Sequence, residues 1–131
     1  MNRVKFPLVV VLGLGMALLT AHGREPKKND LMRQKLEHSQ KVLEGIAVGD
    51  FKMIQKHGEE LLEISKKVGW KVLNTPAYEM HTNSFRRSAE SLIENAKEKN
   101  LDAAALTYLD MTLTCVKCHK HVRDVRMTSL D

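Results

Sequence analysis

The sequence predicts an all-α fold, an antiparallel four-helix bundle in up-down-up-down order. Apolar residues recur at intervals of three and four along four separate segments, which is the spacing of one face of an α-helix. Only 7 glycines and 3 prolines occur in 131 residues, which disfavours an all-β fold with many tight turns. The links before the second and fourth segments are short, and short links favour antiparallel neighbours. The length allows one domain.

The N-terminal residues 1–23, before the four helical segments, have the layout of a secretory signal peptide. Two basic residues precede an unbroken run of apolar and small residues, 6–21, and a small-x-small cleavage pattern ends at Gly23. The run is shorter than the roughly 20 residues that a membrane span needs, and an uncleaved anchor is the alternative. We expect export to the periplasm, cleavage, and no stable membrane insertion of the remaining domain, residues 24–131.

The first two helices are predicted from Asp30 to Gly49 and from Asp50 onward. A glycine after a periodic pattern ends a helix, and an aspartate side chain caps the N–H groups of the next one. The predicted core faces are Met32, Leu36, Ser39, Leu43 and Ile46 in the first helix, and Phe51, Ile54, Gly58, Leu61, Ser65 and Val68 in the second.

Thr75 and Pro76 predict the start of the third helix, as an N-cap followed by proline at the first helical position. Residues 69–74 break the pattern before it. Residues 100–102 form a short link with capping residues, and the fourth helix is predicted over about 103–125. The predicted core faces are Tyr78, His81, Phe85, Ala89 or Ser88, Leu92 and Ala96 in the third helix, and Ala105, Leu109, Thr112, Val116, His119 and Arg123 in the fourth.

The predicted core contains small and polar residues where protein interiors normally hold large apolar ones. They are Ser39, Gly58, Ser65, Ala89, Ala96, Ala105 and Thr112. Close approach of helices at small residues is one explanation. The other is that a group from outside the polypeptide fills the core.

The run Cys115-Val116-Lys117-Cys118-His119 is a C-x-x-C-H motif, the attachment motif of c-type haem. Two cysteines three apart on a helix lie on the same side, so both can form thioethers to the two vinyl groups of one haem. The adjacent histidine then ligates the iron. The motif contains both cysteines of the chain, and export predicts the compartment in which bacteria attach haem. We therefore predict one covalently bound haem c, with His119 as the proximal ligand.

Three other interpretations of the motif fit the sequence less well. A thioredoxin-like redox pair requires a βαβ context, which the helical pattern does not provide. Zinc binding by Cys115, Cys118, His119 and His121 would take four ligands from seven helical residues. A disulfide between the two cysteines would be strained within a helix.

Among the histidines outside the motif, His38 is expected to lie in solvent.

A helical domain of this size with C-x-x-C-H near its C-terminus resembles the class II cytochromes c, which include cytochrome c-prime and its low-spin relatives. The resemblance covers residues 30–126, and its specific part is residues 115–123. It implies that the first helix covers the haem face opposite His119, where Met32 lies on the predicted core face. It also implies a haem-binding role for Arg123, because the family has a basic residue four positions after the haem histidine.

The sixth iron ligand determines the predicted function. Ligation by Met32 gives a six-coordinate haem suited to electron transfer. Without that bond the site resembles cytochrome c-prime, which binds nitric oxide and carbon monoxide, and Leu36 would close the open side. Phe85 is a candidate for packing against the haem.

Electron transfer is the preferred function, and we expect no enzymatic activity. The sequence has no paired carboxylates, no nucleophile–base pattern and no phosphate loop. The expected partners are redox proteins. A formal net charge of +5 spread over several helices does not predict nucleic-acid binding. The chain is expected to be a monomer or a homodimer.

Overall fold

A computed structural model describes residues 28–129 of the chain, and all regular secondary structure among these residues is helical, with no strand. The four helices are α1 (Lys28–Val48), α2 (Phe51–Lys66), α3 (Pro76–Lys97) and α4 (Leu101–Thr128). A 3₁₀ turn, Val68–Trp70, lies between α2 and α3. The all-α prediction is confirmed, and the four helices are consistent with a four-helix bundle. The predicted signal peptide, residues 1–23, lies outside the described residues.

The helix ends follow the capping residues that the sequence predicts. Asp50, Thr75 and Asn100 each accept a hydrogen bond from the backbone N–H three residues further on, at 3.0, 3.2 and 3.1 Å. Each side chain therefore satisfies one of the free donors at a helix start. Pro76 is the first residue of α3. Gly49 closes α1 with φ of +71°, a left-handed conformation that glycine adopts without strain.

Helices adjacent in sequence form the extensive contacts of the fold. α1 packs against α2, α2 against α3, and α3 against α4, whereas α1 and α4 contact each other at few points. The core side chains include Leu31, Val42, Ile54, Leu61, Ile64, Trp70, Phe85, Ala89, Leu92, Ala96, Ala104 and Met111. Within residues 28–129, no helix is long and apolar enough to cross a membrane.

The predicted core face of α1 is wrong by about one residue. Leu31, Lys35 and Val42 are buried, whereas Leu36 and Leu43 are 59% and 49% exposed. One residue corresponds to a rotation of about 100° around the helix axis. α1 carries two overlapping apolar stripes, and contact with α2 and the 3₁₀ turn decides which one is buried.

The predicted core face of α4 is wrong in the same way. Leu109 and Val116 are 57% and 60% exposed, while Ala104 and Met111 are fully buried. The helix also begins at Leu101 and ends at Thr128, beyond both predicted limits. The physical reason is that α4 packs closely on α3 alone, so the face toward α3 is buried. The predicted face, which includes Thr112 and His119, lies in solvent or along the α1–α4 gap.

Close helix approach explains part of the small-residue pattern. A Cβ atom at Gly58 would lie 3.1 Å from Ile93 Cγ1, which is tighter than ordinary van der Waals contact. Ser65 is buried, and its side chain and carbonyl accept hydrogen bonds from Arg86 at 3.0 and 2.6 Å. These positions are where α2 and α3 meet. Thr112 is exposed, so it is not a core residue.

Candidate functional site

The C-x-x-C-H motif lies in the second half of α4. Cys115 and Cys118 are free thiols, and both are half-buried. Their spacing of three residues puts them on one side of the helix. His119 follows immediately, with an exposed imidazole. The two sulfurs are therefore accessible enough to react and are held on a regular helix.

Two adjoining cavities open beside the motif, between α4 and α1. The larger one, about 420 Å³, is named here the Leu36 cavity. It is lined by Met32, Arg33, Lys35, Leu36, Ser39, Cys115 and His119. The smaller one, about 320 Å³, is named the Trp70 cavity, and it is lined by Met32, Lys35, Trp70, Val72, Tyr78, Cys118, His119, Val122 and Arg126. Each has a volume within the range of ordinary ligand pockets, about 300–1,000 Å³.

Met32, Lys35 and His119 line both cavities, so the two form one region with a thiol in each part. Met32 and Lys35 come from the same side of α1, one helical turn apart. His119 faces them from α4. The sparse contact between α1 and α4 leaves this region open to a ligand.

Lys35 separates the two cavities from the core. Lys35 is only 8% exposed, and its ammonium lies 4.7 Å from the ring centroid of Trp70 and 4.1 Å from the ring centroid of Phe85. Cation–π attraction to two rings stabilises the charge in part. The three ion pairs found within residues 28–129 do not include Lys35. A buried cation without a carboxylate is costly, since buried charges are normally paired.

Burial shifts the pKa values of three groups at the site toward their neutral forms. Burial lowers the pKa of Lys35, and the two cysteine sulfurs oppose that shift. Burial raises the pKa of the Cys118 thiol, and Lys35 opposes it. Desolvation lowers the pKa of His119, and the charges of Lys35 and Arg123 lower it further. A neutral imidazole is the form that binds a metal.

The wall of the Trp70 cavity is held rigidly by hydrogen bonds. Trp70 Nε1 donates to Thr82 Oγ1 at 3.1 Å, and its ring packs on Phe85 with centroids 5.2 Å apart. The Tyr78 hydroxyl donates to the Trp70 carbonyl. These contacts fix the 3₁₀ turn against α3 and hold the aromatic wall in place.

The structure brings four of the six predicted site residues to the same region: Cys115, Cys118, His119 and Met32. Arg123 is exposed and acts on His119 through its charge, while Arg126 lines the Trp70 cavity. Phe85 is only 2% exposed and belongs to the core. Its ring contacts the ammonium of Lys35, which lines both cavities.

Lys35, Trp70 and Arg126 line the cavities, and the sequence pattern did not predict them as site residues. A lysine on the apolar side of α1 is itself a signal, because lysines are rarely buried without a partner. Trp70 lies in a link between helices, where periodicity carries no information. Its burial follows from a tertiary contact with Thr82.

Other polar groups near the motif are engaged elsewhere. His121 Nε2 lies 2.8 Å from Thr75 Oγ1, and its ring is 6.1 Å from that of His81. In the part of the chain that the structure describes, no three His, Cys, Asp or Glu side chains are grouped to hold a metal ion.

A wider and more open groove, about 650 Å³, lies between α3 and α4 and is lined by Asp110, Arg87 and other mostly polar residues.

Comparisons of this chain with protein-family models, with curated proteins and with solved structures found no match.

Proposed function

We propose that the chain is an exported c-type cytochrome that transfers electrons with one haem c bound between α1 and α4. The proposal includes thioether bonds to Cys115 and Cys118, His119 as the proximal ligand, Met32 as the sixth ligand, and an antiparallel up-down-up-down bundle. The observation that carries it is the meeting of both motif thiols, His119 and Met32 at two adjoining cavities. Redox proteins are its expected partners.

The lining of the two cavities supports the fit of a haem. Lys35 interacts with both cysteine sulfurs and has aromatic rings beside it, so it lies at the edge of the region where the vinyl groups of a haem would attach. The propionates lie at the opposite edge of a haem, so Lys35 is not their partner. Arg33 and Arg126 line the cavities as further cationic groups. The lining thus combines two thiols, an apolar and aromatic wall, and basic groups.

Each residue has a distinct task in this proposal. The two cysteine sulfurs hold the group covalently, so that it is retained without a fully closed pocket. His119 presents a neutral imidazole, and Met32 presents a thioether from the opposing helix. Trp70 and Tyr78 exclude water from one side. When bound, the haem supplies a one-electron iron couple, and paired His and Met ligands raise its reduction potential.

Binding of nitric oxide or carbon monoxide by a five-coordinate haem is the second candidate function. One observation favours it: Leu36, an apolar residue without ligand atoms, lines the same cavity as His119. Met32 lines this cavity too, and the cavity has a volume of about 420 Å³.

The visible spectrum of the reduced protein, with and without carbon monoxide, tests the electron-transfer function. A low-spin spectrum that the gas does not change is the expected result. A high-spin spectrum that shifts with the gas would contradict six-coordination and support the second function. A purified chain without haem would contradict both.

A further inference from the structure

A second cluster of metal-binding side chains lies away from the motif, where α1 meets α2. His38 comes from α1 and His57 from α2, and both are half-buried. Their Nδ1 atoms lie 2.8 Å apart, and their ring centroids are 5.1 Å apart with an interplanar angle of 38°. At this distance one ring donates an N–H to the other, so the pair holds one shared proton between two nitrogen atoms.

We propose that His38 and His57 form a two-nitrogen binding site for Cu(II) that bridges α1 and α2. Metal–nitrogen bonds to histidine are about 2.0–2.1 Å long. Two such ligands at a right angle are therefore about 2.9 Å from each other. The observed 2.8 Å separation is close to that value, so the helices need not move. The ring that donates the shared proton first shifts to the tautomer with the proton on Nε2, and both rings then turn until their Nδ1 lone pairs meet at one ion.

The chemistry of the two ligands favours copper over zinc. A closed zinc site takes four protein ligands, and the two imidazoles supply two. Cu(II) prefers a square arrangement of nitrogen and oxygen ligands, and it is the strongest binder in the divalent series. Water completes its coordination, since both imidazoles are partly open to solvent.

Charges around the pair make the site moderate in affinity. Lys56 and Lys41 lie close enough to His57 to act on it through their charges, and so does Glu60, one turn further along α2. Glu60 attracts a cation. Lys56 and Lys41 repel one, and Lys41 is already paired with Glu44 at 2.6 Å.

The copper site is independent of the proposed haem site. Neither histidine lines the Leu36 cavity or the Trp70 cavity. Copper binding therefore tests the pair whether or not the chain carries haem. The motif cysteines compete for copper only as free thiols, and alkylation blocks them.

The test is a titration of the purified full chain with Cu(II) chloride near neutral pH, followed by equilibrium dialysis. Any free thiols are alkylated first, and circular dichroism confirms that each variant is folded. We expect one copper ion per chain, with imidazole nitrogen couplings in electron spin echo spectra. His57→Gln and, separately, His38→Gln should each weaken binding by about tenfold or more.

His81→Gln is the matched control, because His81 is also half-buried on a helix but lies on α3. It should leave the affinity unchanged. Unchanged binding in both His57→Gln and His38→Gln would overturn the proposal. So would an equal loss in His81→Gln, or a wild-type complex without imidazole couplings.

Discussion

Replacing Met32 by alanine removes the proposed sixth ligand while leaving the rest of the site in place. The side chain lines both cavities and packs partly against the core. Without its thioether, the iron would keep His119 alone among protein side chains. The reduced protein should then change from a low-spin to a high-spin spectrum and should bind carbon monoxide.

The stability cost of Met32→Ala is small enough for the variant to stay folded. Truncating a fully buried methionine to alanine costs about 2–5 kcal/mol. Because Met32 is half-buried, we expect a loss of about 1–2 kcal/mol in the free energy of unfolding. A domain of this size has about 5–15 kcal/mol in total. Urea denaturation followed by circular dichroism measures the loss.

Met53→Ala provides the matched control for the spectrum. Met53 is half-buried near the start of α2 and lines neither cavity. It should lose a similar amount of stability and retain the wild-type spectrum with carbon monoxide. If Met32→Ala keeps a low-spin spectrum that the gas does not alter, Met32 is not the ligand and the reasoning is refuted.

Three further predictions concern the stability of the fold. Thr82→Val leaves the buried Trp70 N–H without an acceptor and should cost about 1–3 kcal/mol in urea denaturation, whereas exposed Thr112→Val should cost about 0.5 kcal/mol or less. Gly49→Ala should lower the free energy of unfolding by about 1 kcal/mol, because a residue with a side chain is strained at this positive φ, although the space around Gly49 is open. Thermal unfolding measures the loss, and an unchanged midpoint would contradict this. The pKa of His57 is lowered in the folded state. As the pH falls below about 6.5, the unfolded chain therefore binds a proton at His57 before the folded chain does, and the free energy of unfolding should decrease. In His57→Gln that fall should be shallower, and an identical pH profile would exclude the residue as its source.

Helix ends were predictable because their chemistry is local. An aspartate, threonine or asparagine that accepts from the N–H three residues on needs nothing distant to cap a helix. Asp50 and Thr75 therefore marked the starts of α2 and α3 correctly. The predicted core faces of those two helices were largely correct too, because each packs on neighbours at both sides.

The rotation of α1 and α4 was not predictable from periodicity. On α1, both the stripe through Leu31 and Val42 and the stripe through Leu36 and Leu43 have helical spacing. Only tertiary contacts select between them, and they bury the first. α4 has the same ambiguity. The stripe through Ala104 and Met111 and the stripe through Leu109 and Val116 both have helical spacing, and the first is buried.

The motif located the candidate site, but the groups around it come from distant parts of the chain. Cys115, Cys118 and His119 are recognisable by spacing alone. Lys35 and Trp70 reach them only through folding, one from α1 and one from the 3₁₀ turn. The contact between His38 and His57 likewise joins residues 19 apart, for which no local pattern exists.

Covalent attachment of haem is most directly tested by extraction with acidified organic solvent and by intact-protein mass spectrometry. The full chain is produced in a bacterial host that attaches haem to C-x-x-C-H motifs. We predict that the haem stays with the polypeptide, that the mass exceeds that of residues 24–131 by one haem, and that Cys115→Ala with Cys118→Ala abolishes both. A wild-type chain with two free thiols, or a haem that the solvent removes, would contradict the proposed cytochrome.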